Sequence, residues 1–311
     1  MPKFSLIIPV DNDEHLKRII KIYDEEKQKD VEVILLLSSS SDLYESTENI
    51  KIIRISDFDH GKTRNIGAQF SQGDILIFMT QDASPASRDF FQRISESFEI
   101  GEKIKLVYGR QIPDESNILE KLEREIIYHN RMIIKSLRDV YSNPCFESIF
   151  VSDVCLAVDK KVFCEVNGFE QNIICSEEVV LALKILKRGY NILYNPKVSV
   201  YHSHNESKSR VFKRWFDVGV FLSNFPEIKK IMNLEKQGIR LAKEELKFIA
   251  RSKSINLIPE FLYRNFIRYS AMKIGELQNL IPFKLKKRLS LNKQYWQNQR
   301  KEMKGLNLSE Y

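Results

Sequence analysis

The chain has 311 residues, of which 43% are hydrophobic, and it carries a formal net charge of +7. This length supports a substantial globular core and allows either one large domain with an appendage or two domains. The longest apolar runs, at 33–37 and 75–79, are the length of a β-strand. A membrane-spanning helix needs about 20 apolar residues, so the composition excludes a protein built on such helices.

The amino terminus enters an apolar, strand-like run at Phe4. Neither a basic region nor a cleavage site of small residues comes before it, and a secretory signal peptide needs both. We therefore expect a cytoplasmic protein.

The charge is unevenly distributed along the chain. Residues 206–311 contain 23 Lys and Arg against 10 Asp and Glu, whereas residues 1–205 contain 26 against 32. Such asymmetry is typical of a basic module with an anionic partner, although a solvated helical surface would show it too. We divide the chain at this shift into an amino-terminal domain, 1–205, and a carboxy-terminal module, 206–311.

Strands and helices alternate through the first eighty residues. Short apolar runs predict the strands, and apolar residues at helical spacing predict the helices between them. The predicted strands are 4–10, 31–37, 50–55 and 74–79, and the predicted helices are 14–26 and 61–70. This alternation is typical of an α/β protein with an open, mainly parallel sheet.

The middle of the chain is less regular. We expect a charged helical stretch over 115–138, a strand at 152–158 and short strands at 190–194 and 198–202. A helix is predicted over 177–188, and Gly189 is the residue type that ends a helix. After Asn205 the pattern is helical, basic and aromatic to the end.

Polar loops follow the first four strands, at 9–11, 38–42, 57–64 and 80–83. Ligands of open parallel sheets bind at the carboxyl ends of the strands. Asp82 follows an apolar strand, and a carboxylate there can bind a Mg²⁺ or Mn²⁺ ion that bridges a diphosphate. An Asp that caps the following loop is the structural alternative.

Residues 61–65 read GKTRN and open a predicted helix. Free backbone N–H groups and the helix dipole favour anions at such an end. Lys62 and Arg64 add positive charge, so we expect this segment to bind phosphate rather than to be a surface turn.

Two later segments supply further candidate groups. Glu177 and Glu178 begin a helix, where they either stabilise the helix dipole or provide a general base on a rigid first turn. His202 and His204 follow a predicted strand, and His202 is a candidate metal ligand beside Asp82. The sequence contains no Walker loop and no Gly-x-Ser-x-Gly motif, which argues against nucleotide hydrolysis and against an α/β-hydrolase.

In this order, the segments resemble glycosyltransferases of family 2 with the GT-A fold, and more closely the bacterial rhamnosyltransferase group of that family. The most specific blocks are Thr63-Arg64-Asn65 and Thr80-Gln81-Asp82. The resemblance spans nearly the whole chain, with further blocks at 58–68, 108–113, 168–169, 177–178, 189–190, 202–204, 213–219 and 289–296. It implies a GT-A nucleotide-sugar glycosyltransferase domain over 1–205, followed by the helical, basic module.

The resemblance implies an inverting transfer of a sugar, expected to be rhamnose, from a nucleoside diphosphate donor, either dTDP-rhamnose or a UDP-sugar. By position, Glu178 matches the family's catalytic base, which is normally Asp, and Glu177 stands beside it. Asp82 matches the second carboxylate of the metal motif, and His202 matches a His that joins the metal shell. The expected cofactor is therefore Mg²⁺ or Mn²⁺.

The resemblance also implies the residues that bind the two substrates. The expected donor-binding residues are Pro9, Asp11, Ser38, Lys62, Arg64, Asn65, Gln81 and Asp82. The expected acceptor-binding residues are Arg110, Gln111 and Trp215.

Two positions depart from the usual pattern of the family. Thr80 stands where most members carry the first metal-binding carboxylate, a substitution also typical of the rhamnosyltransferase group. Leu37 stands where an Asp usually bonds the pyrimidine, and the serines at 38–41 or the backbone would replace that Asp.

The basic module favours a lipid-linked acceptor, such as a growing cell-surface polysaccharide or O-antigen. Ile258, Leu262, Phe266 and Tyr269 follow helical spacing, Arg264 and Arg268 lie one turn apart, and basic residues cluster at 284–288. Basic and apolar segments together suit an anionic membrane surface and peripheral association with the inner face of the membrane. A packed helical subdomain with a solvated basic face explains the pattern equally well.

Two alternatives come from other functional classes. A non-catalytic nucleotide-sugar or polysaccharide-binding protein of the same fold remains open because Thr80 and Leu37 replace carboxylates. Nucleic-acid binding through the basic module is disfavoured, since its aromatic residues lie at helix-core spacing rather than interleaved on an exposed surface. We therefore expect no nucleic-acid partner.

Overall fold

The computed structural model describes residues 3–25, 30–38, 45–113, 118–203 and 207–308. The predicted loop residues 39–42, His204 and the expected domain boundary at 205/206 lie outside these ranges. Strands and helices alternate through the first part of the chain, and the last part is helical. The predicted α/β fold class with a carboxy-terminal helical module is confirmed.

The strands are β1 (Phe4–Val10), β2 (Val31–Leu37), β3 (Ile50–Arg54), β4 (Ile75–Met79), β5 (Ser84–Pro85), β6 (Ile104–Ile112), β7 (Ile133–Lys135), β8 (Cys155–Asp159) and β9 (Asn191–Tyr201). The helices of the first 205 residues are α1 (Asp13–Glu25), α2 (His60–Phe70), α3 (Phe90–Glu99), α4 (Ile118–Ile127), α5 (Leu137–Ser142), α6 (Phe146–Ile149), α7 (Lys160–Glu165) and α8 (Glu177–Lys187). The remaining helices are α9 (Lys208–Asn224), α10 (Pro226–Met232), α11 (Leu234–Ser252), α12 (Ile258–Glu276), α13 (Phe283–Leu289) and α14 (Lys293–Leu308).

The strands form one sheet with the order β3-β2-β1-β4-β8-β6-β9-β5, and β7 also pairs with β9. The first four strands are parallel, as predicted, and Leu6 of β1 pairs with Val33 on one side and Ile77 on the other. β8 runs antiparallel between β4 and β6. The carboxyl ends of β1, β2 and β4 therefore meet at one edge of the sheet.

Both faces of the sheet are covered, which is why its strands are continuous apolar runs. All five residues of β4 are buried. Leu76 and Phe78 belong to the core packed under α2, α7, α8 and α9, whereas Ile75, Ile77 and Met79 belong to the core packed under α1 and α3. Each fully buried side chain of this kind contributes roughly 1.5–3 kcal/mol to folding.

Two predicted element assignments are wrong. The stretch expected to be helical over 115–138 is interrupted by the three-residue strand β7, because Ile133, Ile134 and Lys135 complete the sheet beside β9. The two short strands expected at 190–194 and 198–202 form one strand, β9. Its pairing with β6 shifts register between Asn195 and Ser199, and this irregularity explains why the sequence pattern is broken there.

The helices after residue 205 pack on the sheet domain and share its core. Phe216 and Trp296 belong to the same buried cluster as Phe78. Helices α9 and α12 approach closely at Gly219 and Gly275, where an added Cβ would lie 2.0 Å from the Met272 carbonyl oxygen and 2.1 Å from the Phe216 carbonyl oxygen, respectively. No helix of the described residues is long and apolar enough to cross a bilayer.

Candidate active site

A cleft of about 1610 Å³ opens at the carboxyl ends of the parallel strands. Part of its lining comes from the loops after β1, β2 and β4, and another part comes from α4, α9 and α12. Ten of the residues predicted for the site line it, namely Pro9, Asp11, Ser38, Arg64, Gln81, Asp82, Gln111, Glu178, His202 and Trp215. The tertiary structure therefore brings most of the predicted residues into one space.

The loops at the strand ends are held to each other by hydrogen bonds. The backbone N–H of Asp11 donates to the side-chain oxygen of Gln81 at 2.9 Å, and the guanidinium of Arg18 donates to the Gln81 carbonyl. The N–H and hydroxyl of Ser38 both donate to the Val10 carbonyl, at 3.0 and 3.2 Å. These bonds fix the edge of the cleft where parallel sheets bind nucleotides.

Helix α2 begins at the cleft with a fixed geometry. The side chain of Asp59 caps the helix by accepting from the Lys62 N–H at 2.7 Å, and it also accepts from the Asn172 N–H at 3.1 Å. A cap of this kind satisfies one of the free donors at the helix start. The capped end is therefore tied to the loop that leads to α8.

Two residues of α2 do not line the cleft, although we expected them to bind the donor. Lys62 is exposed outside it. The amide of Asn65 bonds the backbone of Phe169: its nitrogen donates to the Phe169 carbonyl at 2.9 Å and its oxygen accepts from the Phe169 N–H at 2.9 Å. Asn65 thus stabilises the turn before α8, because both of its polar groups satisfy buried backbone groups.

Arg64 points inward rather than toward a phosphate. It is 3% exposed, and its guanidinium donates to Glu177 at 3.0 Å and to the His60 carbonyl at 3.0 Å. It also forms an ion pair with Asp153. Burial lowers the pKa of the Arg64 guanidinium, but the negative charges of Asp153, Glu177 and Glu178 outweigh it and raise the pKa above its usual value, so Arg64 stays protonated.

Asp153, Glu177 and Glu178 form a cluster whose carboxylate oxygens lie within 4.8 Å of one another. Glu177 is buried and Glu178 is half-buried at the cleft. Burial, and then the negative charges of Asp153 and Glu177, raise the pKa of Glu178 well above its usual value. Burial also raises the pKa of Glu177, against the lowering effect of His60 and Arg64.

The backbone before α8 aims these side chains. Ser176 precedes the helix in the left-handed region with φ of 63°, a conformation that costs a non-glycine residue of the order of 1 kcal/mol. The turn brings both glutamates into the first turn of α8. A local cost of this size is common where a side chain is held in one orientation for function.

Asp82 and His202, the two predicted metal ligands, lie close to each other in the cleft. The Nε2 of His202 lies 3.4 Å from Oδ1 of Asp82, and its Nδ1 lies 2.9 Å from Oε1 of Gln111. Gln111 in turn donates to Tyr128 at 2.6 Å and to Ser152 at 2.8 Å. One ring nitrogen is thus fixed by a neighbour while the other faces a carboxylate, which is the arrangement of a metal-binding histidine.

A divalent ion fits Asp82 and His202 better than the three-carboxylate cluster. An imidazole nitrogen and a carboxylate oxygen are ligands that Mn²⁺ accepts, and the diphosphate of a bound donor would supply further oxygens. In the cluster, by contrast, the buried Arg64 already pairs with both Asp153 and Glu177. The Arg64 guanidinium therefore already supplies a positive charge to this cluster.

Two of the three expected acceptor-binding residues have other contacts. Arg110 does not line the cleft and bonds Asn130. Gln111 is buried, and its amide is used by His202, Tyr128 and Ser152. Gln111 therefore supports the site by holding His202, whereas the contact of Arg110 lies outside the cleft lining.

The third, Trp215, lines the cleft on a wall of aromatic and basic side chains. The Arg268 guanidinium lies 5.7 Å from the Trp215 ring centre. Arg264 and Arg268 donate to Glu123 at 2.8 and 2.9 Å. These two arginines therefore face the cleft and α4, not a membrane as their spacing suggested.

Several lining residues were missed by the sequence analysis, namely His60, Glu123, Arg124, Tyr128, Ser152 and Asp153. Asp153 lies two residues before β8 and next to Ser152, so a polar pair before an apolar strand could have indicated it. No comparable signal marks Arg124 or Tyr128, because they lie in or after an amphipathic helix whose pattern does not reveal its neighbours.

Two curated proteins match this chain along nearly its full length. O-antigen chain rhamnosyltransferase RfbN of Salmonella typhimurium is 32% identical over 308 residues, covering 95% of this chain and 96% of that protein. O-antigen chain rhamnosyltransferase WbaN of Salmonella anatum is 30% identical over 308 residues, covering 96% and 97%. This chain belongs to the O-antigen chain rhamnosyltransferase family. The expected glycosyltransferase class is thereby confirmed.

The fold of this rhamnosyltransferase family member is also found among solved glycosyltransferases. The mannosyltransferase PcManGT from Pyrobaculum calidifontis, in complex with GDP-Man and Mn²⁺, superposes with a TM-score of 0.60 over 90% of this chain and 87% of that chain. At 13% identity this likeness shows the fold alone. No family model matches the chain, and its assignment to glycosyltransferase family 2 stays a prediction.

Proposed function

We propose that this protein transfers rhamnose from a nucleoside diphosphate donor to a lipid-linked O-antigen glycan, with inversion at the anomeric carbon. The observation that carries the proposal is the convergence of Glu178 with the Asp82–His202 pair in one cleft. Membership of the rhamnosyltransferase family and the names of its relatives support the choice of sugar and acceptor. The donor nucleotide proposed first is dTDP, with UDP as the alternative.

Glu178 is proposed as the general base. An acceptor hydroxyl attacks the anomeric carbon, the new C–O bond forms as the bond to the diphosphate breaks, and the hydroxyl proton passes to the Glu178 carboxylate. The diphosphate leaves with the bonding electron pair. A carboxylate with a raised pKa accepts this proton more readily than an ordinary one, because base strength follows pKa.

The leaving diphosphate needs positive charge near it as the bond breaks. Asp82 and His202 would hold a divalent ion that neutralises the leaving diphosphate. We also propose Arg210 and Arg214 as counter-charges, since both line the cleft from α9. They replace Lys62 and Arg64 in this role, because Lys62 does not line the cleft and Arg64 is paired with Glu177 and Asp153.

We propose the α9–α12 side of the cleft as the acceptor side. Trp215 and Tyr263 line it, and aromatic rings there offer apolar faces for a sugar ring.

A screen for transfer and donor hydrolysis would test the enzyme and identify its donor. It would use dTDP-rhamnose, UDP-glucose, UDP-N-acetylglucosamine and GDP-mannose, each with and without Mn²⁺. We expect turnover with dTDP-rhamnose that depends on Mn²⁺ or Mg²⁺, and donor binding without any turnover would instead support a non-catalytic binder.

A contact with an anionic membrane is the remaining part of the proposal. Leu262, Phe266 and Tyr269 on α12 are 59%, 71% and 55% exposed, which favours the membrane over a packed helical subdomain. They are spaced at i, i+4 and i+7, so they form one apolar stripe along the helix. Lys284 and Arg288 are exposed on the adjacent α13 and add positive charge.

Flotation with liposomes that contain anionic lipid tests the membrane contact. We expect wild-type protein to float and the Leu262→Glu/Phe266→Glu variant to stay in the lower fractions. Ile100→Glu is the matched control, because Ile100 is 46% exposed on the sheet domain. Equal flotation of both variants, or no flotation of wild type, would rule out this stripe as the membrane contact.

A further inference from the structure

A second groove lies between α9, α12 and α13, beside the cleft. It has a volume of about 400 Å³ and is lined by Lys208, Ser209, Phe212, Lys213, Tyr263, Ile267, Arg288 and Leu289. Lys208 and Tyr263 line both the groove and the cleft, so the two spaces adjoin. A molecule bound in the groove could therefore extend into the candidate active site.

Three cations meet in this groove without a carboxylate among its lining residues. Among the described residues, no carboxylate forms an ion pair with Lys208, Lys213 or Arg288. Lys213 does act on the charge of Asp217, but Asp217 is buried and accepts from the Leu291 N–H at 2.9 Å. Like charges brought together in this way repel each other unless an anion is bound between them.

The rest of the lining is apolar. Phe212, Ile267 and Leu289 are half-buried, and the Lys208 ammonium lies 4.6 Å from the centre of the Tyr263 ring. This cation–π contact keeps Lys208 at the junction of groove and cleft. Ile267 also directly follows Phe266, which belongs to the exposed stripe of α12. Successive residues of a helix lie about 100° apart around its axis, so the stripe lies on the side of α12 next to the groove wall.

We propose that this groove binds the phosphate groups of a phosphorylated lipid, whose sugar enters the cleft and whose chain follows the apolar surface of α12. The inference rests on the proposed lipid-linked acceptor and assigns it a binding site. Cations suit the phosphates, and apolar walls suit the first part of the lipid chain. A free phosphate would use the cations alone, and a bilayer would use the exposed stripe rather than the groove.

Binding of farnesyl diphosphate, a short soluble polyprenyl diphosphate, tests the groove by calorimetry on the full chain without donor. Lys213→Gln/Arg288→Gln removes two groove cations, and we expect it to weaken binding at least about tenfold through the lost charge-assisted bonds. Lys287→Gln/Lys293→Gln is the matched control, because neither residue lines the groove. We expect the control to bind like wild type.

Four results would overturn the proposal. If inorganic pyrophosphate bound as tightly as farnesyl diphosphate, the groove would be a phosphate site only. The groove variant could bind as tightly as wild type, or wild type could fail to bind. The groove variant could lose flotation with anionic vesicles and still bind farnesyl diphosphate like wild type. That result would assign the cations to lipid headgroups of the bilayer.

Kinetics separate this inference from the proposed function. The groove variant should hydrolyse the nucleotide sugar at the wild-type rate, and it should raise the KM for a lipid-linked acceptor but not for the same glycan without its lipid diphosphate. An enzyme that uses both acceptors equally would contradict the groove while leaving the transferase intact. A protein without any turnover would contradict the proposed function, and the calorimetric result would still stand.

Discussion

The guanidinium of Arg64 lies 3.0 Å from the carboxylate of Glu177, and both side chains are almost fully buried. The pair joins α2 to the first turn of α8 across 113 residues of sequence. It therefore fixes the start of α8, where the neighbouring Glu178 lies, and it engages the Arg64 guanidinium with carboxylates of the protein. Arg64 also forms ion pairs with two of the three clustered carboxylates, Asp153 and Glu177.

Replacing Arg64 by Met should destabilise the protein by about 3–5 kcal/mol, because Glu177 and Asp153 would keep buried charges without a partner. Urea unfolding at neutral pH measures the change. Lys187→Met is the control, since Lys187 pairs with Glu227 at 2.7 Å on the surface and should cost at most about 1 kcal/mol. Equal losses for the two variants would mean that the buried pair has no special role.

Glu178→Gln should lower kcat by roughly 10²–10⁴-fold, because the amide cannot accept the proton of the acceptor hydroxyl. Donor affinity should stay close to that of wild type. Steady-state kinetics and donor titration measure the two quantities, and Glu260→Gln, on another part of the cleft lining, serves as the control. Near-normal turnover would remove Glu178 from the mechanism.

Asp153→Asn should shift the acidic limb of the kcat profile to lower pH. Burial and then the charge of Asp153 are the main causes that raise the pKa of Glu178. Removing that charge lowers the pKa, so Glu178 stays ionised and active at a lower pH. Measuring kcat between pH 5 and pH 9 checks the direction, and an unchanged limb would show that another group controls it.

His202→Ala should raise the Mn²⁺ concentration needed for half-maximal activity. Gln111→Leu should raise it about 10–100-fold, because Gln111 fixes the imidazole through a bond of 2.9 Å. Metal titration of activity measures both effects. His129→Gln is the control, since His129 does not line the cleft. A metal requirement that is the same in all three variants would place the ion elsewhere.

Gly219→Ala should destabilise the protein by at least about 1–3 kcal/mol, because its new methyl group would overlap the Met272 carbonyl. Gly238→Ala is the matched control in α11. No atom lies within 4 Å of the added Cβ at Gly238, so helix propensity should stabilise that variant by about 1 kcal/mol. Thermal unfolding measures the change in stability of both variants. A Gly219→Ala protein as stable as wild type would mean that α9 and α12 can separate.

The sequence alone determined the first four strands, helices α2 and α8, and the edge of the sheet where the site lies. Those features follow from local periodicity, and parallel strands must place their carboxyl ends together. The grouping of Asp82, His202 and Glu178 also followed from a resemblance over the whole chain. The confirmed glycosyltransferase class and fold agree with that resemblance, and the three residues line one cleft.

Only the tertiary structure decided which way the side chains point. Arg64 at a helix start could face a phosphate or the interior, and the choice depends on Glu177, which is distant in sequence. The side-chain amide of Asn65 likewise donates to the backbone carbonyl of Phe169. On α12 the charged Arg264 faces Glu123 while the apolar Phe266 faces solvent. A helical pattern fixes the angles between its residues, but the packing of distant elements decides which face each element covers.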